Sequence, residues 1–308
     1  MKKGITKILS ACVFAFVVFL AAGTQSKAAV NMGVKQTGAG SSYVELAWNA
    51  QLGAGHYHTQ FSQDGKNWID MEYSSSPSDS VYNLTQGASY YARVVAYNGS
   101  HYSGTHVMVS VSETAIVSTK PTEVTGLTQT AAGVNSVSMS WNASAGAASY
   151  VIYGYINYNW TQIGTSATNS ATITGVAATT STKFSVAAVK NVTGGTVTGD
   201  QCSGVEMKAI PIKVSRIAMQ YYWDSLKEAK YIWTDVNNAD GYQYEVKSAN
   251  GKKTYFRATS TSSYTYVKPF PRGIFVKARV RAYVTVGNKV YYGAWSPYTY
   301  HASSKKVT

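Results

Sequence analysis

The fold is decided by three matched stretches, Leu46-Ala47-Trp48-Asn49, Met139-Ser140-Trp141-Asn142 and Tyr231-Ile232-Trp233-Thr234. Their tryptophans are 93 and 92 residues apart, and a tyrosine follows each tryptophan nine residues later. These tyrosines are Tyr57, Tyr150 and Tyr242. A period near 92 residues is too long for a solenoid repeat and matches the size of a β-sandwich domain. The pattern therefore predicts three domains, each with its own apolar core.

Two further positions keep the same register in all three copies. A strand-like segment ends in an alanine 48, 47 and 49 residues after the respective tryptophan, and a large apolar residue stands twelve residues before each alanine. The alanines are Ala96, Ala188 and Ala282, and the apolar residues are Leu84, Val176 and Phe270. Strand-forming residues are abundant and helical periodicity is absent after the first residues, so the chain is predicted to be all-β.

Together, the tryptophan, the tyrosine, the apolar residue and the alanine resemble those of fibronectin type III domains. The resemblance implies three tandem immunoglobulin-like (fibronectin type III) β-sandwiches, at residues 29–118, 119–210 and 211–308. It also implies a tyrosine six residues before the alanine, and the first copy has one at Tyr90. Modules of this kind serve as spacers, adhesion units or binding domains in extracellular proteins, and the fold by itself fixes no chemistry.

The first 28 residues have the features of a signal peptide. A basic start precedes an apolar run over residues 8–22 that only Ser10 interrupts, and small residues precede Ala29. The chain after it contains no apolar run long enough to span a bilayer. We therefore expect a secreted protein, extracellular or held non-covalently at a cell surface. Only Cys202 follows the leader, so no internal disulfide is expected.

Positive charge is concentrated in the last third of the chain. Residues 29–118 have a net charge of −3, residues 119–210 of +1 and residues 211–308 of +11. This asymmetry indicates a polyanionic partner for the third domain. Because the protein is predicted to be exported, an anionic cell-wall polymer or a polysaccharide is expected rather than nucleic acid, and protein partners remain open.

One strand of the third domain supplies a candidate polyanion site. If its alternating apolar residues face the core, then Lys277, Arg279 and Arg281 line the opposite face. Lys247 has the outward phase on the preceding strand, where Glu245 could neutralise part of the row. The alternative interpretation is an ordinary solvated basic face.

Aromatic residues mark a second candidate site in the same domain. Residues 211–308 contain 13 of the 25 tyrosines. The run Tyr221, Tyr222 and Trp223 could stack on sugar faces or on partner side chains. Alternating aromatic residues in strands are also typical of sandwich cores and cross-strand pairs.

The histidines of the first domain do not predict a metal site. His56 and His58 stand two apart and share a strand face, but a site would need His101 or His106 to converge on them. With Tyr57 facing inward, both histidines are expected to face solvent.

Catalytic residues and cofactors are not predicted either. Asp70 and Glu72 share a strand phase and could imitate the carboxylate pair of a glycosidase, but the sequence supplies no cleft around them. Nucleophile, zinc-protease and phosphate-loop motifs are missing. Cys202 is expected to be a structural thiol.

These observations leave three hypotheses. The preferred one is a non-enzymatic, modular binding or scaffold protein that attaches to anionic surface polymers or glycans through its third domain. The second is a carbohydrate-active enzyme or accessory subunit that uses the carboxylates of the first domain. The third is a spacer or matrix component without a ligand.

Overall fold

The structure is a computed structural model that describes residues 28–103 and 106–303. The predicted signal peptide lies outside the described residues except for Ala28. Within those ranges the only helical element is a short 3-10 turn, His101–Ser103, and all other regular elements are strands. No helix in the described part of the chain is long and apolar enough to cross a membrane. The all-β prediction is confirmed.

The first sandwich contains nine strands. They are β1 (Ala29–Val30), β2 (Lys35–Ala39), β3 (Val44–Ala47), β4 (His56–Ser62), β5 (Ile69–Ser74), β6 (Ser78–Val81), β7 (Ser89–Tyr97), β8 (Met108–Ser112) and β9 (Ala115–Ser118). One sheet has the order β2-β3-β6, and the other has the order β1-β8-β7-β4-β5 with β9 also paired to β7.

The second sandwich repeats this arrangement with eight strands. They are β10 (Thr128–Gly133), β11 (Ser136–Ser140), β12 (Ser149–Ile156), β13 (Asn159–Ser166), β14 (Ser170–Thr174), β15 (Thr182–Val192), β16 (Gly195–Thr198) and β17 (Val205–Met207). Its three-stranded sheet is β10-β11-β14, and its larger sheet is β13-β12-β15-β16 with β17 on β15.

The third sandwich has the same plan. Its strands are β18 (Ile217–Trp223), β19 (Glu228–Trp233), β20 (Gly241–Ser248), β21 (Thr254–Ser260), β22 (Tyr264–Val267), β23 (Phe275–Val286), β24 (Lys289–Tyr292) and β25 (Thr299–Ala302). The sheets are β18-β19-β22 and β21-β20-β23-β24 with β25 on β23. Domain boundaries after residues 118 and 210 stay predictions.

Each pair of sheets encloses a separate apolar core built around one indole ring. Trp48, Trp141 and Trp233 are 6%, 3% and 7% exposed. Each indole meets the tyrosine nine residues later edge-to-face, with ring centroids 5.4, 5.3 and 5.4 Å apart. Apolar burial in three independent cores therefore stabilises the chain, in which the described free thiol, Cys202, is buried.

A hydrogen bond explains the constant spacing between tryptophan and tyrosine. The tyrosine hydroxyl accepts a bond from the backbone N–H three residues after the tryptophan, at distances of 2.9, 3.0 and 2.7 Å. The donors are Gln51, Ser144 and Val236. Because the hydroxyl of a buried tyrosine needs a partner, this bond fixes the loop between the two strands.

The other repeated positions also lie where the resemblance places them. The three repeated alanines are fully buried, and the large apolar residues twelve positions before them are at most 8% exposed. The hydroxyl of Tyr90 accepts a bond from the Thr85 N–H at 3.0 Å, which ties the corner before β7. These contacts are the ones that the resemblance to fibronectin type III domains implies.

A β-bulge interrupts the first strand of each three-stranded sheet. The register shifts between Gln36 and Gly38, between Gln129 and Ala131, and between Met219 and Tyr221. The extra residue reverses which side chains point inward for the rest of the strand. This reversal decides the orientation of the aromatic run in the third sandwich.

Candidate functional site

The run Tyr221, Tyr222 and Trp223 lies on β18 directly after the bulge, and its side chains alternate between the two faces of the sheet. Tyr222 packs against the third core, with its ring centroid 5.9 Å from that of Phe270. Tyr221 and Trp223 face outward with ring centroids 4.1 Å apart. Of the three candidate residues, Tyr221 and Trp223 therefore lie on the outer face and Tyr222 does not, because consecutive side chains of a strand alternate between its faces.

The outward rings extend across all three strands of the sheet. Lys230 on the central strand β19 is paired with Tyr221 on one side and with Tyr266 on the other. Tyr264, two residues before Tyr266, faces outward beside it. Trp223, Tyr264 and Tyr266 are 43%, 45% and 47% exposed. We call this surface the aromatic platform; it consists of Tyr221, Trp223, Tyr264, Tyr266 and Lys230.

Lys230 is the cation at the centre of the aromatic platform. Its Nζ lies 5.7, 5.1 and 5.7 Å from the ring centroids of Tyr221, Tyr264 and Tyr266. Burial, followed by a hydrogen bond with Tyr266, raises the pKa of Tyr221 to about 12. That phenol is therefore neutral at physiological pH, and the platform combines apolar ring faces, hydroxyl groups and one ammonium group.

The other two sandwiches have no rings at the equivalent positions. Three residues before the tryptophan, where the third sandwich has Lys230, the first has Glu45 paired with Ser80, and the second has Ser138 paired with Thr172. Ser138 and Thr172 are joined by a hydroxyl–hydroxyl hydrogen bond of 2.9 Å. Because the same fold forms with polar side chains at these positions, folding does not require the aromatic platform.

The predicted basic row lies on the outer face of the larger sheet of the third sandwich. Lys277, Arg279 and Arg281 point outward from β23, and Lys247 faces the same way from β20. Three half-buried rings alternate with the cations of β23. We call this series the cation–aromatic ladder; in order it is Lys277, Tyr298, Arg279, Trp295, Arg281 and Tyr292.

The contacts of the ladder are short. Lys277 lies 4.7 Å from the centroid of Tyr298, and the Arg281 guanidinium lies 3.8 Å from that of Tyr292. Trp295 has one guanidinium on each side, both at 4.4 Å. The predicted outward phase of the row is present, but the faces of its cations are covered by rings of the same domain.

A fully buried carboxylate, Glu245, anchors the ladder. It accepts bonds from Arg279 at 2.9 Å and from Tyr298 at 3.0 Å, and it pairs with Lys247 at 3.2 Å. Arg257 also donates two hydrogen bonds to it. Burial raises the pKa of Glu245, but the combined effect of its hydrogen-bonding partners and of Arg279 is larger and lowers the pKa to about 2. Arg279 and Lys247, two of the four predicted basic residues, are thus paired within an internal ion network.

The carboxylates of the first sandwich do not form the pair that their spacing suggests. A bulge on β5 places Asp70 opposite Gln60 and Glu72 opposite Thr59. Asp70 accepts a 2.7 Å bond from Gln60 on the outer face, whereas Thr59 is buried between the sheets. The expectation of a shared phase is therefore wrong, because the extra residue, Met71, reverses the alternation. A cavity of about 570 Å³ lies beside this strand, and its lining mixes apolar and polar side chains and includes both Asp70 and Glu72.

The histidines of the first sandwich also depart from expectation. His56 is 2% exposed and does not face solvent. The side chain lies on the outer face of the sheet, but His101, His106 and Tyr97 cover it there. The sequence did not reveal this cover, because it comes from a loop some forty residues away.

Sequence reasoning missed Lys230, Tyr264 and Tyr266. Their signal is the alternating segment Tyr264–Val267, which puts two tyrosines on one face of a short strand. Its pairing with β19 beside Tyr221 follows only from the sheet order.

Comparisons with known proteins give two similarities, and no family model matches the chain. A 162-residue segment, half of this chain, is 33% identical to Chitinase A1 of Niallia circulans and spans 22% of that protein's length. The crystal structure of chicken CNTN1 FN1-FN3 domains aligns with 89% of this chain and 98% of its own, with 15% identity and a TM-score of 0.36. The sheet orders and the repeated tryptophan–tyrosine contacts show that residues 28–103 and 106–303 form a tandem of three β-sandwiches with the fibronectin type III fold.

Proposed function

We propose that this chain is a secreted, non-catalytic protein that binds a polysaccharide through the aromatic platform of its third sandwich. One observation carries the proposal: Trp223, Tyr264 and Tyr266 each expose close to half of their surface. At the positions equivalent to Lys230 and Tyr266 the other sandwiches have polar side chains. Exposed rings grouped on one face are a feature of binding surfaces.

The chemistry of the platform suits a sugar. The C–H faces of a pyranose ring pack on aromatic rings, while its hydroxyl groups can bond to tyrosine hydroxyls and to an ammonium group. Because the rings come from three neighbouring strands on one face of the sheet, they offer a surface to an extended chain rather than a pocket for a free monosaccharide. The expected ligand is therefore a polysaccharide with exposed, uncharged sugar faces.

The similarity to Chitinase A1 suggests which polysaccharide to test first. The name of that protein refers to chitin, and the match spans half of this chain. Because it spans only 22% of the relative, catalytic activity is not carried over. We take chitin as the first ligand of the proposed platform.

An anionic polymer is the second candidate ligand. The net charge of +11 in residues 211–308 favours it. Lys277 and Arg281 are only partly buried, although one ring contacts Lys277 and two rings contact Arg281. Such binding would weaken steeply as salt is added, whereas stacking of sugars on rings would not.

The test is a sedimentation assay of the full chain with insoluble chitin, with cellulose and with an anionic polysaccharide gel, each over a salt series. The variant is the double substitution Trp223→Ala and Tyr266→Ala. Each stacked ring contributes on the order of 1 kcal/mol, so the loss of two should weaken chitin binding by at least about tenfold. Release of soluble sugar is measured in the same samples, and release by the wild-type chain would favour the enzyme hypothesis.

The second sandwich offers a matched control. Tyr155 and Trp160 form an exposed edge-to-face pair with ring centroids 5.3 Å apart. Their replacement by alanine should leave chitin retention unchanged. Equal retention by the platform variant and the wild-type chain would contradict the proposal, and no retention on any matrix would support a spacer.

A further inference from the structure

Four histidine rings come together on the outer face of the larger sheet of the first sandwich. His56 and His58 extend from β4, and His101 and His106 come from the turn and loop after β7. The six distances between their ring centroids run from 5.2 to 6.4 Å. The chain has five histidines, and four of them are in this cluster.

The innermost ring has one nitrogen without a partner. His56 is 2% exposed, and its Nδ1 lies 3.1 Å from the Gly99 carbonyl, to which it can donate. Its Nε2 is buried and has no hydrogen-bond partner among the described residues. A carbonyl on one ring nitrogen orients a metal-binding histidine and leaves the other nitrogen as the ligand. A buried acceptor without a partner is otherwise unfavourable.

One distance between ring nitrogens matches that expected in a tetrahedral metal centre. Ligand nitrogens of His56, His58 and His101 all lie within 4.8 Å of one another. Nε2 of His58 is 3.3 Å from Nδ1 of His101. Metal–nitrogen bonds of about 2.0 to 2.1 Å in a tetrahedron place neighbouring nitrogens roughly 3.3 Å apart, so this pair already has the required separation.

Aromatic rings enclose the cluster: Tyr97 stacks on His56 at 5.3 Å, and Tyr73 stacks on His101 at 4.0 Å.

We propose that this cluster is a Zn²⁺ site, with His56, His58 and His101 as ligands and His106 in the fourth position. Four imidazole nitrogens in a tetrahedron suit Zn²⁺, and a filled coordination sphere indicates a structural rather than a catalytic role. The ion would fasten the loop after β7 to β4. This replaces the expectation of no metal site, which depended on solvent-facing histidines.

The experiment uses the full chain without a polyhistidine tag, stripped with a chelator and then titrated with Zn²⁺ by calorimetry. Mg²⁺, which prefers oxygen ligands, serves as the negative control. We expect one Zn²⁺ per chain with Kd below about 1 μM, and a rise in Tm. Replacement by Co²⁺ should give the intense visible absorption of a tetrahedral centre.

The variant is the double substitution His58→Ala and His101→Ala, which leaves the buried His56 in place. It should weaken Zn²⁺ binding by at least about 100-fold. His301→Gln, which changes the remaining histidine, should bind as the wild type does. If the double variant does not fold, His101→Ala alone tests the same ligand from the turn. Binding of less than one Zn²⁺ per ten chains, or unchanged affinity in the folded variant, would overturn the proposal.

Discussion

The two sheets of the third sandwich carry the same kinds of side chain on their outer faces and arrange them in opposite ways. In the cation–aromatic ladder, three cations alternate with half-buried rings around the buried carboxylate of Glu245. In the aromatic platform, one cation, Lys230, lies among rings of which Trp223, Tyr264 and Tyr266 are 43%, 45% and 47% exposed. We therefore propose that basic and aromatic residues in strands form a binding surface where the rings stay exposed, as on the platform, and not where they are half-buried around an internal ion network, as in the ladder.

The largest effect should come from removing the anchor of the ladder. Glu245→Gln leaves Arg257, Arg279 and Lys247 without their shared counter-charge. Removing one partner of a buried ion pair costs about 3 to 5 kcal/mol, so the free energy of unfolding should fall by about that amount in urea titrations. Chitin binding of the folded fraction should be unchanged.

An exposed ion pair provides the control for that variant. Lys120 and Asp200 form a surface bridge at 2.7 Å. Asp200→Asn should cost less than about 1 kcal/mol. If both variants lost the same stability, the special role of Glu245 in the ladder would be refuted.

Acid should weaken the ladder before it affects the platform. The pKa of Glu245 is lowered to about 2 in the folded chain, below its value when unfolded. Its contribution is therefore fully present above the unfolded pKa, near 4.3, and is lost as pH falls toward 2; it amounts to up to about 3 kcal/mol. Stability measured between pH 6 and pH 2 should fall more steeply for the wild type than for Glu245→Gln, and parallel curves would contradict this account.

Replacing a single cation on each of the two surfaces should change the free energy of unfolding by smaller amounts, and these amounts should differ. Arg281 donates to Gln243 at 2.9 and 2.7 Å and lies between two rings, so Arg281→Met should cost about 1 to 2 kcal/mol. Lys230→Met should change stability by less than about 0.5 kcal/mol, because Lys230 contacts only rings at more than 5 Å. Thermal unfolding of the two variants side by side measures the difference, and the reverse order would invalidate the distinction.

The smallest effect is expected from copying the platform onto the second sandwich. Ser138→Lys with Thr172→Tyr places a cation and a ring at the positions of Lys230 and Tyr266. Because the outer face is solvated, the free energy of unfolding should change by less than about 0.5 kcal/mol. A large loss of stability would mean that this face is not free to vary.

The fold was predictable from the sequence because its determinants are short-range and repeated. The spacing from Trp48 to Tyr57, and its two copies, reflects a local hydrogen bond that any chain with this turn must make. The core alanine Ala282 follows from the strict alternation along β23, whereas the residues directly before Ala96 on β7 and Ala188 on β15 are buried as well. These relations do not depend on which strands meet across a sheet.

The sites were less predictable because bulges and loops decide them. The extra residue on β18 turned Tyr222 inward, and that on β5 separated Asp70 from Glu72. The turn after β7 covered His56 with rings from a distant part of the chain. Alternation identifies inward and outward positions only between such interruptions.

The bulge on β18 determines which aromatic side chains the third sandwich exposes on this face. A single additional residue at Gln220 determines that Trp223 meets solvent while Tyr222 meets the interior. An insertion or deletion of one residue there would exchange these assignments without altering any aromatic codon. If the proposed function is correct, gain or loss of polysaccharide binding can therefore proceed through strand length as well as through substitution.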